Sequence, residues 1–146
     1  MKVIFLDVDG VINSTHDYFT TDLTTAGCSA RLDLIRFIVN NTPGEVQVCI
    51  SSSWRVIKRL REHLIDELNK RDIVVCGYTK YDDNTRGKQI ENWLKANSDK
   101  DITNYVVIDD ETADMGNLPQ GNIIKTDEDT GLTDTDAELA IHILSE

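Results

Sequence analysis

The sequence has 146 residues, a formal net charge of −11 and an apolar fraction of 40%. That length suits one domain with a single core, and the composition excludes collagen-like, low-complexity and disordered chains. No apolar run approaches the roughly 18 residues that a membrane span needs. The whole charge excess lies after residue 100, where Lys125 is the one lysine or arginine, and an acidic chain is a poor non-specific binder of nucleic acid.

The cysteine pattern favours a reducing compartment. Cys28, Cys49 and Cys76 are odd in number and form no CxxC pair. Cys49 and Cys76 lie inside apolar runs, where thiols act as small apolar residues. Because the acidic Asp7 comes too early for a secretory signal, we expect a cytoplasmic protein with no membrane partner.

Five short apolar runs rich in β-branched residues predict strands. Their apolar character is nearly continuous, which is typical of parallel strands covered on both faces. The predicted strands are Val3–Val8, Val46–Ser51, Ile73–Gly77, Tyr105–Asp109 and Asn122–Lys125.

Four helical patterns lie between and after these strands. The first has Ser29 as its candidate cap and ends at Pro43-Gly44, and the second spans about 54–70. The third follows Thr85, and the last begins near Thr133. The residues expected to face the core from the last helix are Leu139, Ile143 and Leu144.

This order of elements predicts an α/β fold with a doubly wound, mainly five-stranded parallel sheet in a single domain over residues 1–146. In such sheets, the functional site lies beyond the carboxyl ends of the strands, where the strand order reverses. The residues at those ends are therefore the candidates for chemistry.

Acidic residues follow the first and the fourth predicted strands. Asp7 and Asp9 come after the first strand, and Asp109 and Asp110 come at the end of the fourth. If these strands are neighbours, the four carboxylates converge, and carboxylates within about 6 Å of one another cannot all stay ionised without a cation. Oxygen ligands favour Mg²⁺ over Zn²⁺, and none of the three histidines lies near these strand ends.

A metal beside a free carboxylate is typical of phosphate chemistry. The carboxylate can attack phosphorus and form an aspartyl-phosphate. A second acid, for which Asp9 is suited, can protonate the leaving alkoxide and then deprotonate water. A hydroxyl and a lysine complete the charge clamp, and Ser51 and Lys88 are available for it.

These residues occur in a recognisable order. The run from Asp7 to Val11 resembles motif I of the haloacid dehalogenase (HAD) superfamily, Ser51 resembles motif II, Lys88 resembles motif III and Asp109-Asp110 resemble motif IV. Three further segments resemble the HAD domains of Swiss Army Knife RNA-repair proteins and their stand-alone relatives: Ser51–Arg55, Arg86–Lys88 and the tail from Thr126 to Thr133.

The resemblance implies a role for each acid. Asp7 is expected to be the nucleophile and a metal ligand, and Asp9 the acid/base with its backbone carbonyl on Mg²⁺. Asp110 is expected to bind the metal directly or through water, with Asp109 in support. Asp114 is either a trailing acid of motif IV or a surface or capping acid.

The phosphate-binding set is predicted to be Ser51, Ser52, Lys88 and Arg55. Arg55 is the residue of a local basic cluster that lies closest to the site, and the alternative for this cluster is a solvated helix face with Glu62 and Asp66 as partners. Trp54 and Trp93 are expected to pack inside the protein rather than to stack on bases. The other members of the basic cluster are Lys58, Arg59 and Arg61.

The resemblance also bears on the substrate. Many HAD enzymes of small metabolites carry an inserted cap domain, but residues 12–45 and 54–85 leave no room for one, and the loop Asn13–Ser29 is at most a short flap. An open site fits a bulky phosphorylated substrate. We therefore expect a Mg²⁺-dependent phosphomonoesterase whose first candidate substrate is a nucleic-acid end, with a nucleotide or small phosphate ester as the alternative.

Two non-enzymatic interpretations remain beside it. A phospho-accepting signalling receiver would place its aspartate at the end of the third strand, where this sequence has Gly77-Tyr78. A silent binding module would usually have lost one of the site residues. The complete set therefore favours the enzyme.

Overall fold

The computed structural model describes all 146 residues. Its strands are β1 (Lys2–Leu6), β2 (Val46–Ile50), β3 (Val75–Tyr78), β4 (Asn104–Asp109) and β5 (Ile123–Lys125). Its helices are α1 (Ala26–Asn41), α2 (Lys58–Asn69), α3 (Arg86–Ala96) and α4 (Asp134–Leu144). None of the four is both long enough and apolar enough to cross a membrane.

The five strands form one parallel sheet in the order β3-β2-β1-β4-β5. The chain builds outward from β1 to β2 and β3, then returns to the other side of β1 for β4 and β5. The predicted doubly wound α/β fold is therefore confirmed. Since the strand order reverses between β1 and β4, the crevice for a ligand opens at the carboxyl ends of these two strands.

Each side of the central strand faces a separate apolar core. Ile4 and Leu6 belong to a large core to which α1, α2 and α4 contribute. Val3 and Phe5 point to the opposite face and pack under α3, where the rings of Phe5 and Trp93 meet edge to face at 5.4 Å. This burial on both faces explains why the strand sequences are nearly all apolar instead of alternating.

β1 is shorter than the predicted Val3–Val8 and stops at Leu6. The carbonyl of Val8 accepts hydrogen bonds from the backbone N–H groups of residues 11, 12 and 13 at 2.8–3.0 Å, so the chain turns there. Asp7 keeps one sheet hydrogen bond, from its N–H to the carbonyl of Ile108 at 3.1 Å. Its side chain therefore stands at the exact edge where β1 and β4 end together.

The predicted helix over 54–70 is interrupted. A 3₁₀ turn covers Ser53–Val56, and α2 begins only at Lys58. The Ser52 hydroxyl accepts the N–H of Trp54 at 3.1 Å and starts the turn. Ile57 then takes an extended conformation, with φ −99° and ψ 110°, which no helix can contain.

The start of α1 also differs from the prediction. The helix begins after Thr25, so Ser29 lies inside it and is not its cap. The Ser29 hydroxyl instead accepts a hydrogen bond from Arg71 Nη2 at 2.9 Å. The predicted starts of α3 and α4 are confirmed, because the hydroxyls of Thr85 and Thr133 each accept the N–H three residues ahead.

One predicted core residue of α4 is exposed. Leu139 is 45% exposed to solvent, whereas Ile143 and Leu144 are buried as predicted. α4 packs against α1, and its two alanines, Ala137 and Ala140, are fully buried. Small residues let helices approach closely. Because the alanine face of α4 is the one that is buried, Leu139 faces water.

Candidate active site

Three carboxylates meet where β1 and β4 end. Asp7, Asp109 and Asp110 each offer an oxygen, and these atoms lie within 4.8 Å of one another. Asp7 and Asp109 are buried, while Asp110 is partly exposed. The structure thus brings together three of the four acids that the sequence placed at the strand ends.

Burial and mutual repulsion make this acidic triad costly to ionise. Burial, with the charge of Asp109 next in importance, raises the pKa of Asp7 well above its usual range. Burial also raises the pKa of Asp109 to about 6. A cation among the three would relieve both effects, and an all-carboxylate donor set suits a hard divalent ion such as Mg²⁺. The residues present therefore fit the predicted metal.

The basic side chain that faces the acidic triad belongs to Arg86. Its Nη1 lies 2.7 Å from Asp109 Oδ2 and 3.5 Å from Asp7 Oδ1. Although burial opposes a charge on this guanidinium, Asp109 and Asp7 raise its pKa. Arg86 therefore neutralises part of the charge of the triad and presents N–H groups at its edge.

The backbone around Arg86 is fixed by close packing. A Cβ built at Gly87 would overlap the backbone carbonyl of Met115, so the first turn of α3 lies directly on the loop after β4. The Gly87 N–H donates to the carbonyl of Asp114 at 3.0 Å, and the Asp114 carboxylate accepts the Arg86 N–H at 3.4 Å. Asp114 therefore acts on α3 as a capping acid.

Lys88 is not brought to the acidic triad. Its Nζ pairs with Glu91 Oε2 at 3.2 Å on the outside of α3, and its side chain is 47% exposed. Sequence reasoning missed Arg86, which lies two positions earlier in the same first helical turn. The available signal was Gly87, since a glycine at a helix start indicates close backbone approach beside it.

The two predicted serines have different surroundings. The Ser51 N–H pairs with the carbonyl of Leu6 at 2.9 Å, which places Ser51 beside the end of β1. Its hydroxyl is buried and has no hydrogen-bond partner. Such a group costs free energy unless a ligand satisfies it, so Ser51 is suited to bind a phosphoryl oxygen. The Ser52 hydroxyl already accepts the N–H of Trp54.

The Asp9 carboxylate stands outside the acidic triad. Its Oδ2 accepts the indole N–H of Trp54 at 3.3 Å, and its Oδ1 accepts Asn13 Nδ2 at 3.1 Å. Burial raises the pKa of Asp9, although these two hydrogen bonds oppose the shift. A positioned carboxyl group with a raised pKa is suited to proton transfer.

Arg55 is buried among protein acceptors. Its Nε donates to the Thr79 carbonyl at 2.9 Å and its Nη2 to Gln89 Oε1 at 2.7 Å, and Nη1 contacts the Ser52 carbonyl. These bonds tie the ends of β2 and β3 to α3. Arg55 therefore joins these three elements of the site. Both tryptophans are buried, but the contact of Trp54 with Asp9 was not foreseen.

The loop after β1 depends on Gly10. This residue has φ +84°, and a Cβ there would overlap the carboxyl group of Asp110. Thr126 Oγ1 donates to the Gly10 carbonyl at 2.7 Å and fixes the loop from the side of β5. The absence of a side chain at Gly10 therefore lets the Asp110 carboxyl group lie against the loop and come close to Asp7 and Asp109.

The candidate flap is fastened at its base. Arg31 contacts Asp17 and donates to the carbonyls of Ile12 at 2.9 Å and Thr130 at 3.0 Å. The tip, Tyr18-Phe19, is exposed and has left-handed backbone angles. The aromatic tip is thus among the exposed residues of the segment, whereas its base, with Asn13 and Ser14 buried, is part of the fold.

Comparison with known proteins shows the family of the chain. A family model described as the HAD domain in Swiss Army Knife RNA repair proteins matches residues 3–137. The chain belongs to this family. Searches of curated proteins and of solved structures returned no match. HAD membership indicates a hydrolase of the phosphatase type, and the acidic triad of this HAD domain could bind the divalent metal that the family generally uses.

The HAD domain has no cap. A short 3₁₀ turn and α1 connect β1 to β2, a second 3₁₀ turn and α2 connect β2 to β3, and α3 and a third 3₁₀ turn connect β3 to β4. None of these connections contains an inserted domain, so the acidic triad lies at an open edge of the sheet.

Substitution of Gly10 by alanine is expected to weaken metal binding. The added Cβ would displace Asp110 and would also strain the backbone at positive φ, which costs about 1–2 kcal/mol by itself. Gly44→Ala is the matched control, because Gly44 has φ +87° with nothing within 4 Å of the added Cβ. Chemical unfolding should show a loss of stability in both variants, and Mg²⁺ titration should show weaker Mg²⁺ binding in Gly10→Ala alone. Equal Mg²⁺ affinity in the two would contradict this account.

The stabilisation by Mg²⁺ is expected to depend on pH. Since the pKa of Asp109 is raised to about 6, the metal-free fold binds a proton there more tightly than the unfolded chain does. The stability that this bound proton gives the metal-free fold is therefore lost as pH rises from about 4 to beyond 6. At the higher pH, a bound metal can take the place of the proton. The rise in melting temperature with Mg²⁺ should be small near pH 5 and larger near pH 8. Asp109→Asn should reduce the difference; an equal rise at both pH values in the unsubstituted protein would rule out this coupling.

Proposed function

We propose that this HAD domain is a Mg²⁺-dependent phosphomonoesterase that works through an aspartyl-phosphate on Asp7. One arrangement carries the proposal. Two further carboxylates and the guanidinium of Arg86 lie beside Asp7, and the unpartnered hydroxyl of Ser51 belongs to the neighbouring strand end. This is a nucleophile surrounded by the groups that a phosphoryl transfer requires.

Asp7, Asp109 and Asp110 would hold the metal. When bound, Mg²⁺ supplies positive charge that offsets the repulsion between the Asp7 carboxylate and the phosphoryl oxygens. The Ser51 hydroxyl would donate to one phosphoryl oxygen. Arg86 opposes the rise in the pKa of Asp7 that burial causes, and it has further N–H groups for a second oxygen.

The reaction has two displacements on phosphorus. An Asp7 carboxylate oxygen forms a bond to phosphorus while the bond to the leaving oxygen breaks, and the Asp9 carboxyl group gives its proton to that oxygen. Asp9 then takes a proton from water, whose oxygen attacks the same phosphorus and releases inorganic phosphate from Asp7. The raised pKa of Asp9 supports this role, because the group must be protonated in the first step.

A terminal phosphate of a nucleic acid is the substrate that we propose first. The family description names RNA repair, the site lies at an open edge of the sheet, and Lys58 and Arg59 are exposed near it on α2. A nucleotide or small phosphate ester is the enzymatic alternative.

The three cysteines are free, which supports the cytoplasm as the place of action.

Phosphate release from a panel of substrates tests the function. The panel contains p-nitrophenyl phosphate, nucleotides and oligonucleotides with a 3′- or 5′-phosphate, each with Mg²⁺ or EDTA. We expect Mg²⁺-dependent release that Asp7→Asn lowers at least about 10³-fold while the fold is kept. Release at the unsubstituted rate from Asp7→Asn, or no release from any substrate, would overturn the proposal.

Two neighbouring cations provide the matched variants for this experiment. Arg86→Gln should lower kcat by about 10²-fold or more, because it removes the charge beside Asp7. Lys88→Gln should change kcat less than about fivefold, since its exposed pair with Glu91 is worth at most about 1 kcal/mol. A larger fall in kcat for Lys88→Gln than for Arg86→Gln would instead support Lys88 as the phosphate-binding cation.

A further inference from the structure

A cavity opens directly beside Asp9. It has a volume of about 420 Å³, and its wall includes the Asp9 carboxylate and the indole of Trp54. That volume falls within the range of small-molecule sites. The remaining wall residues are Ser53, Val56, Ile57, Leu60 and Tyr81.

The wall of this cavity is apolar in an otherwise polar region. Five of its seven residues are hydrophobic, and Val56, Ile57 and Tyr81 are each more than half exposed. The break in the helix at Ile57 creates this surface. In a continuous helix over 54–70, Ile57 would lie on the same face as the buried Leu60 and Leu64 and would not be exposed beside Val56. Adjacent apolar side chains that stay in contact with water at the edge of a site favour an apolar ligand group.

A cation holds the aromatic ring that lies at the mouth of the cavity. The guanidinium carbon of Arg55 is 5.4 Å from the centre of the Tyr81 ring, and Arg55 is itself fixed by hydrogen bonds to Thr79 and Gln89. The ring is therefore oriented although Tyr81 is 64% exposed. A preformed, exposed aromatic face is suited to stack on a planar ring.

Exposed basic residues are sequence neighbours of two wall residues. Lys58 and Arg59 follow Ile57, and Lys80 precedes Tyr81; all three are exposed. The side chains of Arg59 and Lys80 form no ion pair, and Lys58 has only a 3.9 Å contact with Glu62. Asp82 and Asp83 follow Tyr81 and offset the charge of Lys80, so the positive charge lies on the side of α2, where it favours a ligand that combines a planar ring with phosphates.

We infer that the cavity is the leaving-group subsite and holds the nucleoside of a terminal nucleotide, with the base against the ring of Tyr81. The inference rests on the proposed function, in which Asp9 protonates the leaving oxygen. Because Asp9 forms part of the wall, the group attached to that oxygen must extend into the cavity or past it. The preference is thus for a nucleoside over an aliphatic leaving group.

A binding measurement tests the subsite without turnover. Calorimetry of the Asp7→Asn variant with Mg²⁺ compares AMP with ribose 5-phosphate, which has the same phosphate and sugar but no base. We expect AMP to bind about tenfold more tightly or better, the gain of one base-aromatic stack. Equal affinity for the two ligands would overturn the inference.

Substitution of the ring identifies the contact. In the same Asp7→Asn background, Tyr81→Ala should remove most of the preference for AMP over ribose 5-phosphate. Phe37→Ala is the matched control, because Phe37 is a similarly exposed aromatic residue on α1 beside Asp134 and Glu138, away from Asp9. A preference that survives Tyr81→Ala, or one that Phe37→Ala removes equally, would contradict the assignment.

Turnover separates this inference from the proposed function. With the unsubstituted catalytic residues, the ratio of kcat/KM for AMP to that for ribose 5-phosphate should fall about tenfold in Tyr81→Ala. Absence of turnover on every substrate would refute the phosphatase while the calorimetry still decided the nucleoside site. Turnover with equal ratios in both proteins would refute the subsite and leave the phosphatase in place.

Discussion

Repulsion among buried carboxylates is the constraint on which the site depends. The doubly wound order places β1 next to β4, so Asp7 and Asp109 leave the sheet side by side, away from water. Arg86 offsets part of their charge, and Asp110 adds to it. Because ionisation of all three is costly in this position, the fold favours a cation or a proton there. The arrangement that makes the apoprotein sensitive to pH is the same arrangement that would bind Mg²⁺.

Close backbone approaches position these charges. Gly10 leaves space for the Asp110 carboxyl group, and Gly87 lets the start of α3 lie on the carbonyl of Met115, which directs Arg86 to the acids. Neither contact contributes much apolar burial. Both fix distances, since reactive groups must be held within a fraction of an ångström of their working positions. In the proposed reaction, the open edge of the sheet leaves the leaving-group side of Asp9 free for a nucleoside.

The sequence predicts the acids better than it predicts the cation. Asp7 and Asp109 follow from two apolar strands and from the rule that parallel strands expose their carboxyl ends together. Arg86 and Lys88 share the first turn of one helix, so spacing cannot tell which of them turns inward; only the packing of α3 on the β4 loop decides. The break at Ile57 was likewise hidden, because apolar residues at helical spacing continue through it. Local periodicity gives the elements, and tertiary contacts decide the orientation of single side chains.

The central claim is a covalent bond between Asp7 and phosphate. The most direct measurement stops the reaction with acid while a phosphomonoester and Mg²⁺ are present, reduces the protein with borohydride, and locates the product by peptide mass spectrometry. An acyl-phosphate side chain is reduced to homoserine, so we predict homoserine at position 7 with Mg²⁺ and none with EDTA. Turnover without modification of Asp7, or modification of Asp9 or Asp109 in its place, would contradict the account.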